Sequence, residues 1–171
     1  MNLGLFKDIA YAAANQSTCC RLHVGAVIFN MNTKRVYSIG YNGTIHGFNH
    51  CNKLFPEPGK VNSLVYSLLG YTGTNTDIVN VSEEEWRSVH HEFSEKYELH
   101  AEQNAILNML KTGADISENL AILSTTAPCH NCAKLIAGLG IRHVFYCAEY
   151  DRHDQDVFDY YDKLGLLVCK V

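Results

Sequence analysis

A chain of 171 residues, 47% hydrophobic and 19% charged, can bury a core without disulfide staples and is too apolar to be disordered along most of its length. Its formal charge of −4, with no block of Lys or Arg, argues against holding long nucleic acid through many phosphate contacts but permits a single nucleotide. No apolar run reaches the roughly 20 residues of a membrane span, and no basic-then-apolar leader opens the chain, so a single cytoplasmic domain acting on a small substrate is expected.

Leu5, Phe6, Ile9, Ala10 and Ala13 recur at helical spacing and predict an amphipathic helix over residues 3–16. Val24 to Phe29 reads as a strand, Asn30 to Lys34 as a turn and Val36 to Tyr41 as a second strand, together a hairpin stopped by Asn42-Gly43. Residues 43–81 give little regular signal beyond the apolar stretch Val61 to Leu69, and a connection of that kind is usually functional or disordered. Ser82 before Glu83, Glu84 and Glu85 is a strong helix start, predicting a helix to about Lys96. A helix follows from Ala101 to about Lys111, with Ala105, Ile106, Met109 and Leu110 on its apolar face. After it come a strand at Leu120 to Ser124, a helix at Cys129 to Leu139, a strand at His143 to Cys147, a helix over residues 154–164 and a strand at Leu166 to Cys169. This alternation implies an α/β fold, a mixed sheet with helices on its faces. No repeat or linker interrupts it.

The seven cysteines are an odd number, which in a cytoplasmic chain points to thiols and metal rather than to a disulfide framework. Cys147 and Cys169 sit in strand-like runs and are expected to be buried core thiols. Two other stretches carry chemistry: His100-Ala101-Glu102 and Pro128-Cys129-His130-Asn131-Cys132. Both fall at predicted helix starts, where free N–H groups and the positive helix end favour thiolates. One imidazole and two thiols are three good zinc ligands, and zinc with three protein ligands keeps a position open for chemistry. A closed structural zinc, or buried cysteines without metal, is the plainer alternative. Glu102 discriminates between them. Two thiolates cancel the charge of the ion and weaken it as a Lewis acid, and a nearby carboxylate that collects a proton from water offsets that loss. A closed site has no use for such a group.

These stretches, with Val24-Gly25-Ala26-Val27-Ile28, Gly40-Tyr41-Asn42-Gly43, Asn104-Ala105-Ile106 and Ala133-Lys134, resemble the zinc-dependent cytidine/deoxycytidylate deaminase superfamily, particularly its phage-type deoxycytidylate branch. The resemblance covers nearly the whole chain. It implies the three-layer α-β-α cytidine-deaminase-like fold with a mixed five-stranded sheet and helices on both faces. It also implies Zn2+ held by His100, Cys129 and Cys132, activating a hydroxide that attacks C4 of dCMP. Glu102 would take the water proton, deliver it to N3 and then protonate the departing amino group, giving dUMP and ammonia. Asn42 matches the asparagine that contacts the sugar, although Asn-Gly is also ordinary turn chemistry. Ala101 joins the substrate-binding set, and Tyr150 matches an aromatic near the nucleotide or is an ordinary half-buried tyrosine. One departure is Ala127, where the family often has Ser, which removes a hydroxyl from that position.

The segment at about 43–98 reads as an insertion within a single domain of residues 1–171. Cys19, Cys20, Cys51, His46, His50, His90, His91 and Glu98 lie in or beside it, and composition alone makes them scattered surface groups. The resemblance implies instead a second, structural zinc on Cys19, Cys51, His90 and Glu98, with Cys20 and His91 as local rivals, and so two zinc ions per chain. It further implies a homohexamer activated by dCTP with Mg2+ and inhibited by dTTP, with the effector segment running from Gly40 through Asn42 and Gly43 to Gly47. Arg21 is a candidate for the substrate phosphate, or simply an exposed charge. Other readings are a related deaminase acting on cytidine, guanine or a riboflavin precursor, a nucleic-acid-editing deaminase disfavoured by the negative charge, and a non-enzymatic zinc-binding interaction module.

Overall fold

The computed structural model describes residues 2–71, 77–116, 119–149 and 156–171. In chain order its elements are α1 (Gly4–Ala14), β1 (Gly25–Asn30), β2 (Val36–Tyr41), β3 (Gly43–Thr44), α2 (Cys51–Leu54), β4 (Lys60–Asn62), α3 (Ser63–Leu69) and β5 (Ile78–Asn80). They continue with α4 (Glu83–Tyr97), β6 (Glu98–Leu99), α5 (Ala101–Lys111), β7 (Leu120–Thr126), α6 (His130–Gly138), β8 (His143–Ala148), α7 (Val157–Lys163) and β9 (Leu167–Lys170). The chain forms two compact units, one of Met1–Ser17, Val24–Asn42 and His100–Val171, the other of Thr18–His23 and Gly43–Leu99. Among the described residues no helix is long and apolar enough to cross a membrane.

The first unit holds a mixed five-stranded sheet in the order β2-β1-β7-β8-β9, antiparallel on the β2 side and parallel from β7 to β9. The hairpin forms as the sequence predicts. Asn30 Oδ1 accepts the backbone N–H groups of Asn32 and Thr33, each at 2.8 Å, so the side chain itself builds the turn. Every residue of β1 is buried, as a strand covered on both faces requires. Val27 and Phe29 pack with Phe6 and Ala10 of α1, the Phe6 and Phe29 rings stacking at 3.7 Å between centroids. Ala26 and Ile28 point the other way, into a core shared with Ala105 and Met109 of α5, Ile136 of α6 and Tyr161 of α7. Helices therefore lie on both faces of the sheet, and the expected three layers are present.

Gly40 shows how tightly β2 and α5 meet. A Cβ there would fall 2.3 Å from the carbonyl oxygen of Ala101 and 2.3 Å from the amide nitrogen of Ala105, so only glycine fits. Ser38, two residues earlier, donates to the Ala105 carbonyl at 2.7 Å. Asn104 and Asn108 of α5 donate back to the Tyr41 and Ile39 carbonyls at 2.8 and 3.0 Å. The register of strand against helix is thus fixed from both sides.

The second unit is more regular than its sequence signal. Beyond the capped α4, it contains a β3-β6 pair, a β4-β5 pair and the short helices α2 and α3. The Ser82 hydroxyl accepts from the Glu85 N–H at 3.1 Å, the expected start of α4. Phe55, Val61, Val65, Trp86, Val89 and Phe93 form a core of its own with Cys19 and Cys51. Strands of two or three residues and a one-turn helix are too short to leave a periodic pattern, which is why residues 43–81 look irregular as sequence.

Some expected core positions face outward. Leu5, Leu110 and Leu135 are 62%, 47% and 43% exposed, lying off the buried stripes of their helices. Cys169 is exposed on β9, at the end of the sheet order, and Cys147 is only half-buried, so neither is a core thiol. Tyr150 lies outside the described residues.

Candidate active site

Three side chains from two helix starts meet in the first unit. His100 is the N-cap of α5 in extended conformation, held there by its backbone N–H, which donates to Gln103 Oε1 at 2.8 Å. Cys129 is the N-cap of α6, and Cys132 lies in the first turn of that helix. Two strand-like dihedral pairs followed by helix thus turn both segments toward one point. His100 Nδ1 stands 3.5 Å from Cys129 Sγ and 3.4 Å from Cys132 Sγ, and the three donor atoms all lie within 4.8 Å of one another.

The donor set fits zinc. With Zn–S of about 2.3 Å and Zn–N of about 2.0 Å, tetrahedral geometry needs donors about 3.5–3.8 Å apart, close to the separations found. Charge agrees with geometry. A hydrogen bond from the Cys132 thiol holds the Cys129 thiol down to about 3, against the opposing effect of burial. That same sharing, with burial, pushes the Cys132 thiol well up. Cys129 is thus the sulfur of the pair favoured as thiolate, at a helix N-terminus and beside an imidazole. His130, between the two thiols in sequence, does not join the cluster.

The loop carrying Cys129 is anchored from behind. The Tyr161 hydroxyl, on a side chain 1% exposed, donates to the Pro128 carbonyl. Burial pushes that phenol far above its ordinary range, so it remains a donor. Sequence reasoning missed Tyr161, whose only signal was a tyrosine on the apolar face of the α7 segment.

Glu102 stands in the first turn of α5, 4% exposed, and is not one of the clustered donors. Its Oε1 accepts from the Ser124 hydroxyl at 3.0 Å. Burial raises its carboxyl above the usual carboxylate range, opposed by His100, by backbone hydrogen bonding and by Ser124. A buried carboxyl beside a three-donor cluster, and outside it, is placed to exchange protons with whatever occupies the open position.

Asn42 follows β2 and is buried, its Oδ1 accepting from the Val24 N–H at 2.8 Å while its carbonyl accepts from Ser17 Oγ at 2.9 Å. That hydrogen bonding fixes the direction of its amide. Ala101, the first residue of α5, is fully buried against Gly40.

In the second unit Cys19, Cys51, His90 and Glu98 also bring one donor each within 4.8 Å of one another, all four buried. Cys51 Sγ lies 3.2 Å and Cys19 Sγ 3.8 Å from His90 Nε2. Glu98 Oε2 accepts from Ser94 Oγ at 2.7 Å, whereas Glu98 Oε1 has no hydrogen-bond partner among the described residues. An orphaned carboxylate oxygen beside two buried thiols fits a cation, and four protein donors close the site to substrate. The rivals Cys20 and His91, and the other candidate histidines, separate by burial. His91, His46 and His50 are exposed, and Cys20 is half-buried with its sulfur 3.6 Å from that of Cys51. Arg21 is half-buried, and Gly47 is exposed in a turn at φ 92°, a conformation glycine favours.

The chain matches the family described as the cytidine and deoxycytidylate deaminase zinc-binding region over residues 2–148. It is 36% identical to the deoxycytidylate deaminase of Enterobacteria phage T4, in an alignment covering 100% of this chain and 90% of that one. With the deoxycytidylate deaminase of Mycobacterium phage D29 the identity is 33%, over 84% and 92% of the two chains. Among solved structures, dCMP deaminase from the cyanophage S-TIM5, in complex with dCMP and dUMP, superposes with a TM-score of 0.63 at 26% identity, covering 100% of this chain and 99% of that one.

Proposed function

The chain belongs to the cytidine and deoxycytidylate deaminase family, and on that premise we propose that it deaminates dCMP hydrolytically to dUMP and ammonia. The observation that carries this reading is Glu102, a buried carboxyl beside the His100, Cys129 and Cys132 donors but outside their cluster. The phage relatives that bear the deoxycytidylate deaminase name, and the cyanophage structure with dCMP and dUMP, support the choice of substrate.

His100, Cys129 and Cys132 would hold a zinc ion, which when bound would supply the Lewis acidity that lets water give up a proton at neutral pH. The protein does the rest. Glu102 accepts one proton from water as the remaining hydroxide bonds to C4 and passes it to N3 of the pyrimidine. It then takes the second proton from the new C4 hydroxyl and gives it to the amino group, which leaves as ammonia as the C4 carbonyl forms. Its raised proton affinity suits a group that must take and return a proton in one turnover. Asn42, fixed by the Val24 N–H, contacts the sugar, and Ala101 lines the substrate site. Tyr150 near the nucleotide and Arg21 toward its phosphate complete the proposal.

The second cluster, Cys19, Cys51, His90 and Glu98, holds a structural zinc, giving two ions per chain. Regulation follows from the family likeness: dCTP with Mg2+ activates, dTTP inhibits, and the segment from Gly40 through Asn42 and Gly43 to Gly47 serves the effector. In this reading a single deaminase domain, with its insertion at about 43–98, assembles as a homohexamer in the cytoplasm, that of the host for a phage chain. It feeds thymidylate synthesis. Gly40 also has a packing reason of its own, the contact with Ala101 and Ala105.

One assay tests the proposal: purified protein with dCMP, CMP and deoxycytidine, each with and without dCTP. Ammonia released from dCMP, with a sigmoidal dependence that dCTP makes hyperbolic, is expected. Faster turnover of an unphosphorylated nucleoside would contradict the substrate, and hyperbolic curves insensitive to dTTP would contradict the regulation.

A further inference from the structure

Strand β7 sends Leu120 and Ile122 into the core it shares with α5, and alternation along the strand gives Ser124 the same face. Ser124 is 0% exposed. Packing gives no reason for a hydroxyl there, since an aliphatic side chain would continue the row without burying a polar group. What explains the hydroxyl is its donation to Glu102 Oε1 at 3.0 Å.

That contact answers a mechanical need. The last torsion of a glutamate is broad, so burial alone does not set the plane of its carboxyl group. We propose that Ser124 is a positioning residue for Glu102, its hydroxyl fixing Oε1 so that Oε2 carries the proton to and from the substrate. The tether works in both states of the cycle. When Oε2 bears the proton, Oε1 is a carbonyl oxygen and still accepts from the serine. The carboxyl therefore need not reorient between taking a proton from water and returning it at N3 or at the amino group. This inference rests on the reading of Glu102 as the proton carrier.

The test uses the isosteric pair Ser124→Thr and Ser124→Val, which add the same volume and differ in the hydroxyl, together with the smaller Ser124→Ala. Each is assayed for kcat and KM on dCMP, zinc per chain and Tm. We expect Val and Ala to lower kcat about ten- to a hundredfold, the scale of a hydrogen bond to a charged group, with KM and zinc content unchanged. Thr should recover most of what Val loses. A structural role would instead lower Tm and zinc content while leaving kcat per bound zinc intact. Ala cannot overpack the site, so its kcat decides should the larger variants fail to fold. Overturning results are an Ala or Val variant within twofold of the parent kcat, a loss that Thr shares equally with Val, or a loss confined to KM. A parent protein inactive on every pyrimidine nucleotide would sink the function and this inference together, whereas an active parent indifferent to Ser124 would sink the inference alone.

Discussion

At the scale of single residues, what a side chain can do depended on its neighbours more than on its type. His100, Cys129 and Cys132 were legible in sequence because metal ligands need particular atoms at particular spacings, and their donors do converge within 4.8 Å. Ser124 and Tyr161 were not legible, since a hydroxyl in an apolar row has no spacing that marks its partner. Both act across the fold, on Glu102 and on the Pro128 carbonyl. Tyr161→Phe removes the donor behind the Cys129 loop while keeping the ring. It should weaken zinc binding at the first site about tenfold, the scale of lost outer-shell support, as a competitive chelator titration would show. Unchanged affinity would mean that the Pro128 carbonyl needs no such anchor.

At the scale of elements, the helices and strands that carry the chemistry were readable because they are long enough to show period and caps. Helix α5 runs over Ala101–Lys111, the expected span, and α4 begins after its Ser82 cap. The pieces of residues 43–81 are one turn of helix and strands of two or three residues, held by tertiary packing and invisible to periodicity. The β2–α5 contact makes a sharp prediction. Gly40→Ala places a methyl 2.3 Å from the Ala101 carbonyl oxygen and Ala105 nitrogen, atoms of backbone that cannot turn aside. The strand and helix must part, costing about 1–3 kcal/mol of stability, as overpacking does. Denaturant melts should show the loss, and a variant as stable as the parent would mean that the two elements are not in such contact.

At the scale of the whole molecule, each of the two compact units carries one cluster of metal-fitting donors. The unit of Thr18–His23 and Gly43–Leu99 has a small core in which Cys19 and Cys51 are themselves members, so the structural zinc proposed there would bind and fold the unit in one event. Cys51→Ala should drop zinc from the proposed two per chain to one and strip amide protection from α4, measured by elemental analysis and hydrogen exchange. Two ions retained, or protection unaltered, would contradict a structural metal. At the other cluster, Glu102→Gln separates a proton carrier from a carboxyl that is merely buried. The amide keeps the shape of the side chain and cannot carry the proton. With ammonia release from dCMP and zinc measured on the same sample, kcat should fall at least a hundredfold while zinc per chain stays at the parent value. A Glu102→Gln protein that deaminates dCMP at near-parent rate, zinc content equal, would mean that Glu102 is not the proton carrier.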